Sequence, residues 1–190
     1  MADTIKDLKN ALLLFGVMAI LLGIIYPLVI TGISQVIFPY QANGEMITVN
    51  GTIIGSELIG QNFTSPKYFQ GRPSAVDYNA SNSGGSNYGP TNKALIDRVN
   101  ATINEIKTGN NLPNNATIPA DLVLASGSGL DRYITVDSAD LQVPRIANAR
   151  NLNESIIRDI INKNEEVPFP YVGQPVVNVL KLNIALDNIH

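Results

Sequence analysis

The chain has 190 residues, a formal net charge of −3, no cysteine and a single histidine, His190. No disulfide framework or thiolate chemistry is available, and a Ser-His-Asp triad, a Cys-His pair or a zinc site lacks its usual residues. The weak acidity and the absence of any basic run exclude the phosphate-neutralising surface that nucleic acid requires.

From Ala11 to Ile33 no residue is charged. A bilayer core of about 30 Å needs about 20 apolar helical residues, because lipid cannot satisfy exposed backbone groups. The reading is a transmembrane helix over 11–36. The run continues into Thr31, Gln35, Phe38 and Tyr40 rather than into a small-residue cleavage site, so it reads as an uncleaved anchor. Lipid modification would need a cysteine. Lys6 and Lys9 precede the helix and no Lys or Arg follows until Lys67. By the positive-inside rule residues 1–10 are then cytoplasmic and 41–190 extracytoplasmic. Asn-x-Ser/Thr triplets at Asn62, Asn79, Asn100, Asn115 and Asn153 are compatible with that side, although an Asn-rich chain produces some by chance. Within the span, Ala19 and Gly23 place two small residues on one face, where a partner helix could approach, and Pro27 is expected to kink the helix.

Alternation from Ile47 to Ile54 around Asn50-Gly51 predicts a hairpin. Pro66, Gly71 and Pro73 then break regular structure through an ordered loop carrying Tyr68, Phe69 and Arg72. Asn79 to Pro90 is rich in Ser, Gly and Asn and leads into a helix capped by Thr91. Its apolar stripe comprises Leu95, Val99, Thr102, Ile103 and Ile106, and it stops at Gly109. After a surface connection over 110–119, Leu122 to Ala125 reads as a buried strand. A helix starting at Asp137 or Ser138 is interrupted by Pro144. Asn153 caps another, with Leu152 and Ile157 as a hydrophobic staple and Ile156, Ile157, Ile160 and Ile161 as its buried side. Val176, Asn178, Leu180 and Leu182 share one face of a closing strand. The fold class is α+β: one N-terminal transmembrane helix followed by one extracytoplasmic mixed α/β domain.

Asp121, Asp131, Asp137 and Asp140 are candidates for acid/base work, but turn and helix-start hydrogen bonding explains such positions more simply. Ser83-Gly84-Gly85-Ser86-Asn87 and Ser126-Gly127-Ser128-Gly129 invite a phosphate reading. Neither continues as a P-loop or fits the dinucleotide fingerprint, and tight turns are the simpler use.

These strings stand in a particular order with Leu58-Ile59-Gly60-Gln61, Tyr68-Phe69, Gly71-Arg72-Pro73-Ser74-Ala75 and Gly89-Pro90-Thr91-Asn92. Leu130-Asp131, Gln142-Val143-Pro144-Arg145, Ala149-Arg150, Val177-Asn178-Val179-Leu180, Leu182-Asn183 and Leu186-Asp187 continue the series. In this the chain resembles the C subunit of the potassium-transporting P-type ATPase, the KdpC family, over nearly its whole length. It departs at Leu124, where threonine is frequent, and at Arg132-Tyr133, where proline and histidine are common. The resemblance implies a non-catalytic accessory subunit of an ATP-driven K⁺ importer in the cell membrane, with no catalytic residue, metal or covalently bound cofactor of its own. Its implied partners are membrane lipid, a channel-like K⁺-translocating subunit and the subunit that hydrolyses ATP. It further implies a catalytic chaperone that raises the ATP affinity of the hydrolysing subunit, ATP being reached through the complex. An alternative is a direct ATP-binding module using Ser126, Gly127, Ser128 and Gly129 with Gln142 or Arg145. A third reading is an unrelated membrane-anchored extracellular enzyme or binding domain.

Overall fold

A computed structural model describes residues 2–168 and 172–189. Contacts divide the chain into two units, Met1–Ser56 and Glu57–His190.

In the first unit α1 (Ala2–Ile20) passes through a π-helical turn (Leu21–Ile25) into α2 (Tyr26–Ile37). Thr4–Ile37 is one apolar helix of 34 residues whose most apolar stretch is wholly unburied. At 1.5 Å per residue it is about 50 Å long, enough to cross a bilayer. The π turn immediately precedes Tyr26-Pro27. A proline ring clashes with the carbonyl four residues earlier, here that of Gly23, and a widened turn at that point makes room for it. A short helix, α3 (Pro39–Ala42), leads to β1 (Met46–Val49) and β2 (Thr52–Ser56), paired antiparallel. Asn50 (φ 50°) and Gly51 (φ 78°) form the expected two-residue turn, and the hairpin groups with the N-terminal unit.

In the second unit α4 (Lys93–Gly109) is capped by Asn92 rather than Thr91, since the Asn92 side chain accepts from the Ala94 N–H. Leu122 to Ala125 is not a strand. Ala120–Val123 forms a helical turn, α5, behind Pro119, and Leu124 N–H closes it on the Ala120 carbonyl at 2.8 Å. So short an apolar run carries no period that separates the two forms. β3 (Tyr133–Thr135) runs directly into α6 (Val136–Arg150), where the Thr135 side chain accepts from the Ser138 N–H. That helix continues through Pro144 instead of breaking there. Pro144 lies on the exposed side, where the carbonyl that loses its partner can be hydrated.

Asn153 caps α7 (Glu154–Lys163) as expected. Ile157 and Ile161 are buried and Ile160 packs partly against the core, but Ile156 is 41% exposed and lies off the stripe. β4 (Glu165–Glu166) and β5 (Val176–Asn178) follow. The expected closing strand stops at Asn178, whose side chain accepts from the Leu180 and Lys181 N–H groups and starts α8 (Val179–Asp187). Leu180 and Leu182 are therefore helical. The sheet is antiparallel in the order β3-β5-β4, with Ile134 opposite Val177 and both fully buried. One core joins this sheet to Val143 and Ile146 of α6, Ile157 and Ile161 of α7, and Leu182 and Leu186 of α8.

Candidate functional site

The segment 66–72 belongs to no helix or strand, so each backbone polar group that it buries needs a partner from elsewhere. Side chains of α6 and α8 supply them. The carbonyls of Pro66 and Tyr68 accept from Arg145 at 2.6 and 3.1 Å, and that of Lys67 accepts from Arg150 at 2.7 Å. The Phe69 carbonyl accepts from Asn183 Nδ2 at 3.0 Å and the Gln70 carbonyl from Gln142 Nε2 at 3.2 Å. Phe69 and Gln70 also donate their N–H groups back to Asn183 Oδ1 and Gln142 Oε1, each at 2.8 Å. Two side-chain amides thus act toward this segment as a neighbouring strand would. The Phe69 ring is fully buried and joins the core.

The clamp leaves its polar groups little spare capacity. Gln142 Nε2 also donates to the Ser138 carbonyl at 3.1 Å, and its oxygen accepts a second bond from Arg145 Nη2 at 2.8 Å. Arg145 Nε donates to Asn110 Oδ1 at 2.9 Å. Burial pulls the Arg145 guanidinium down to about 10, still cationic at neutral pH. Arg150 caps the Leu186 carbonyl, pairs with Asp187 at 2.7 Å and stacks over Tyr68 at 4.9 Å. The Tyr68 hydroxyl donates to Asp187, which with burial raises its pKa.

Beside the clamp lies a cavity of about 530 Å³ lined by Phe63, Arg72, Tyr78, Glu105, Gln142 and Arg145, among others. Its charges are mixed. Arg72 is already paired with Asp131 at 2.9 Å, and Tyr78 donates its hydroxyl to the Arg72 carbonyl. Burial, followed by the Asp131 charge, raises the Tyr78 pKa against the opposing effect of Arg72.

The two glycine loops meet each other. The Gly84 N–H and the Ser83 hydroxyl both donate to the Ser128 carbonyl at 2.9 Å, and the Gly129 N–H donates to the Ser126 carbonyl at 3.3 Å. Ser126 N–H donates to the Pro73 carbonyl at 3.2 Å, and Ser74 Oγ to the Gly129 carbonyl at 2.7 Å. Only glycine fits at Gly129, where φ is +71° and a Cβ would stand 2.5 Å from Val76 and 2.8 Å from the Gly84 carbonyl. The amides of Gly84, Ser126 and Gly129, which a phosphate would need, are therefore directed at carbonyls.

Three of the four candidate aspartates are engaged in the same manner, and Asp137 is exposed in the first turn of α6. Asp121 accepts from the Thr135 N–H and the Ser138 hydroxyl, Asp131 from the Tyr133 N–H as well as Arg72, and Asp140 pairs with Arg158. Lys181 lies between Glu57 and Glu166 at 2.9 and 3.1 Å. Burial alone would depress its pKa, but hydrogen bonds to the two carboxylates outweigh that and raise it. Among the described residues no cluster of three or more His, Cys, Asp or Glu is placed to hold a metal. His190 lies outside the described residues.

Of the residues singled out from sequence, Gln142 and Arg145 come together at the cavity wall, whereas Ser126 to Gly129 lie against the other glycine loop and do not line that cavity. Ala19 and Gly23 are exposed on the N-terminal helix, and a Cβ at Gly23 would meet nothing within 4 Å. Reasoning from residue chemistry passed over Asn183 and Arg150. Asn183 sits between Leu182 and Leu186 on the apolar side of a helix, and a polar residue in that setting must have a fixed partner.

The clamp unites the strings around Tyr68-Phe69, Gln142 to Arg145, Arg150, Asn183 and Asp187, and nearly the whole chain matches known proteins. The profile of the family described as KdpC, K⁺-transporting ATPase, c chain, matches residues 8–188. A protein of Rhodopseudomonas palustris (strain BisB5) is 46% identical over 96% of this chain and 97% of its own length. One from Photorhabdus laumondii is 46% identical over 96% of each, and one from Caldanaerobacter subterraneus 46% over 95% of this chain and 94% of its own. All three carry the name potassium-transporting ATPase KdpC subunit. The chain belongs to the KdpC family, the c chain of the K⁺-transporting ATPase.

Proposed function

We propose that this chain is the non-catalytic accessory subunit of an ATP-driven K⁺ importer. Its apolar helix spans the cell membrane, with Ala19 and Gly23 on a face that meets a partner helix. Its second unit lies outside the cell against the channel-like subunit and stabilises the ion entrance. Any rise in the ATP affinity of the hydrolysing subunit, the chaperone role, then travels through the complex.

One observation carries this reading: the polar side chains of the strongest motifs are used inside the domain, all five carbonyls from Pro66 to Gln70 being taken by them. Such wiring supports a rigid body for docking rather than a reaction centre. Ser128→Cys in whole cells tests the arrangement. An impermeant maleimide is expected to label it from outside, and labelling from the cytoplasm alone refutes the topology. Affinity purification of the chain is expected to bring down a channel-like protein and a P-type ATPase.

The cavity beside Gln142 and Arg145 is the one observation favouring direct nucleotide binding. In that reading calorimetry on the solubilised chain gives saturable heat with ATP, whereas the accessory role expects none from the isolated chain.

A further inference from the structure

The triplets Asn-x-Ser/Thr begin at Asn62, Asn79, Asn100, Asn115 and Asn153, and a further one, Asn50-Gly51-Thr52, lies at the hairpin turn. With 22 Asn and 21 Ser plus Thr in 190 residues, chance placement gives about two such triplets. All six asparagines are exposed. None of them donates a hydrogen bond through Nδ2 among the described residues, and Asn79 and Asn153 use only Oδ1, as caps. The contrast lies with Asn110, Asn164, Asn178 and Asn183, whose Nδ2 groups do donate, and which stand in no triplet. The nitrogen that a glycan would occupy is open at every triplet.

Local structure ranks them. Asn100 lies inside α4, Asn79 and Asn153 hold helix starts, and Asn50 sits between paired strands. Asn62 lies in an irregular stretch, but the middle residue of its triplet, Phe63, is pinned against the core and the Tyr68 ring. Asn115 alone lies in the irregular connection 110–119, in a turn closed by Ala116 N–H on the Pro113 carbonyl at 2.9 Å, with Thr117 exposed two residues on. A transferase must bend the acceptor triplet into its own active site, which a surface turn permits and a helix resists.

We propose that Asn115 is the principal site of N-linked glycosylation on this chain; the proposal rests on the outward placement of the second unit. The co-reactant is an oligosaccharide carried on a polyprenyl phosphate or pyrophosphate lipid, and the catalyst is a membrane oligosaccharyl transferase. Asn115 Nδ2 forms a bond to the anomeric carbon of the sugar. The bond from that carbon to the phosphate oxygen breaks, the lipid phosphate leaves with the electron pair, and one Nδ2 proton passes to a base of the transferase.

The test is peptide mass spectrometry on the complex purified from membranes of the native host. The Asn115 peptide is expected with added sugar mass, and both Asn115→Gln and Thr117→Val are expected to lose it, the second with the asparagine intact. Recovery of that peptide only in unmodified form overturns the proposal. Asn115→Cys probed with impermeant maleimide in intact cells separates the two failures. Labelling without glycan sinks the modification and keeps the orientation, whereas neither label nor glycan sinks both.

Discussion

Two irregular segments of the second unit, 66–72 and 83–87, are fixed by different means. The first is held by helix side chains reaching to its backbone, through Arg145, Arg150, Asn183 and Gln142. The second is held by the backbone of another loop, with Gly84 and Ser83 on the Ser128 carbonyl and Gly85 in close approach to Gly127. The difference locates the sequence constraint. A side-chain clamp fails when the reaching residue is truncated, while a backbone seam fails when a side chain is inserted.

Asn183→Ala is the strongest way to break that comparison. It leaves the Phe69 N–H and carbonyl without partners around a fully buried ring. Each orphaned buried group costs about 1–3 kcal/mol, so the loss is expected near 4 kcal/mol in denaturant unfolding of the solubilised chain. A loss below about 1 kcal/mol shows that the segment holds itself and that the clamp is incidental. Gln142→Ala should fall close behind. The two should be non-additive when combined, since they secure adjacent residues.

A backbone approach of the same kind lies at Gly60, whose N–H donates to the Leu130 carbonyl and where a Cβ would stand 2.3 Å from the Asp131 carbonyl oxygen. That contact is backbone and cannot swing away, so Gly60→Ala should cost about 2 kcal/mol. Gly89→Ala meets nothing within 4 Å and serves as the control, with a shift in unfolding midpoint close to zero. Equal shifts for the two would show that the close approach is not what makes glycine necessary.

How far each region could be read in advance follows from the same difference. Hairpin, apolar span and amphipathic α7 were legible because period and turn chemistry are local: Asn50-Gly51, an uncharged run, and Ile157 with Ile161 four residues apart. Two of the errors fell where a side chain reaches the backbone at a helix start: Asn178 converts the apparent strand into α8, and Asn92 displaces Thr91 as cap. Leu122 and Val123, in a helical turn behind Pro119, were missed because so short an apolar run has no period. At the site, Gln142 and Arg145 could be named from the sequence but their partners could not. These partners are carbonyls more than seventy residues away, and a carbonyl has no letter in the sequence. The seam was harder still, because its contacts are backbone to backbone and leave only glycines as a trace.

Tyr78 offers the smallest effect and the sharpest test, because it touches both regions: its hydroxyl donates to the Arg72 carbonyl and its N–H to Ser74 Oγ, which in turn donates to Gly129. Tyr78→Phe removes only the hydroxyl bond and should cost about 1 kcal/mol at neutral pH. Burial raises the pKa of Tyr78 above 10.0, so the folded state holds the proton more tightly than the unfolded chain does. That contribution is complete below about pH 10 and is lost as pH climbs through the raised folded value. Lys181, also raised, acts in the same direction, and Arg145, lowered, acts in the opposite one, but both are present in each protein and cancel in the difference. The stability gap between wild type and Tyr78→Phe should therefore be constant from about pH 7 to 9 and close above about pH 10, followed by thermal unfolding at each pH. A gap that stays constant through the alkaline range would mean that burial does not raise the Tyr78 pKa in the folded chain.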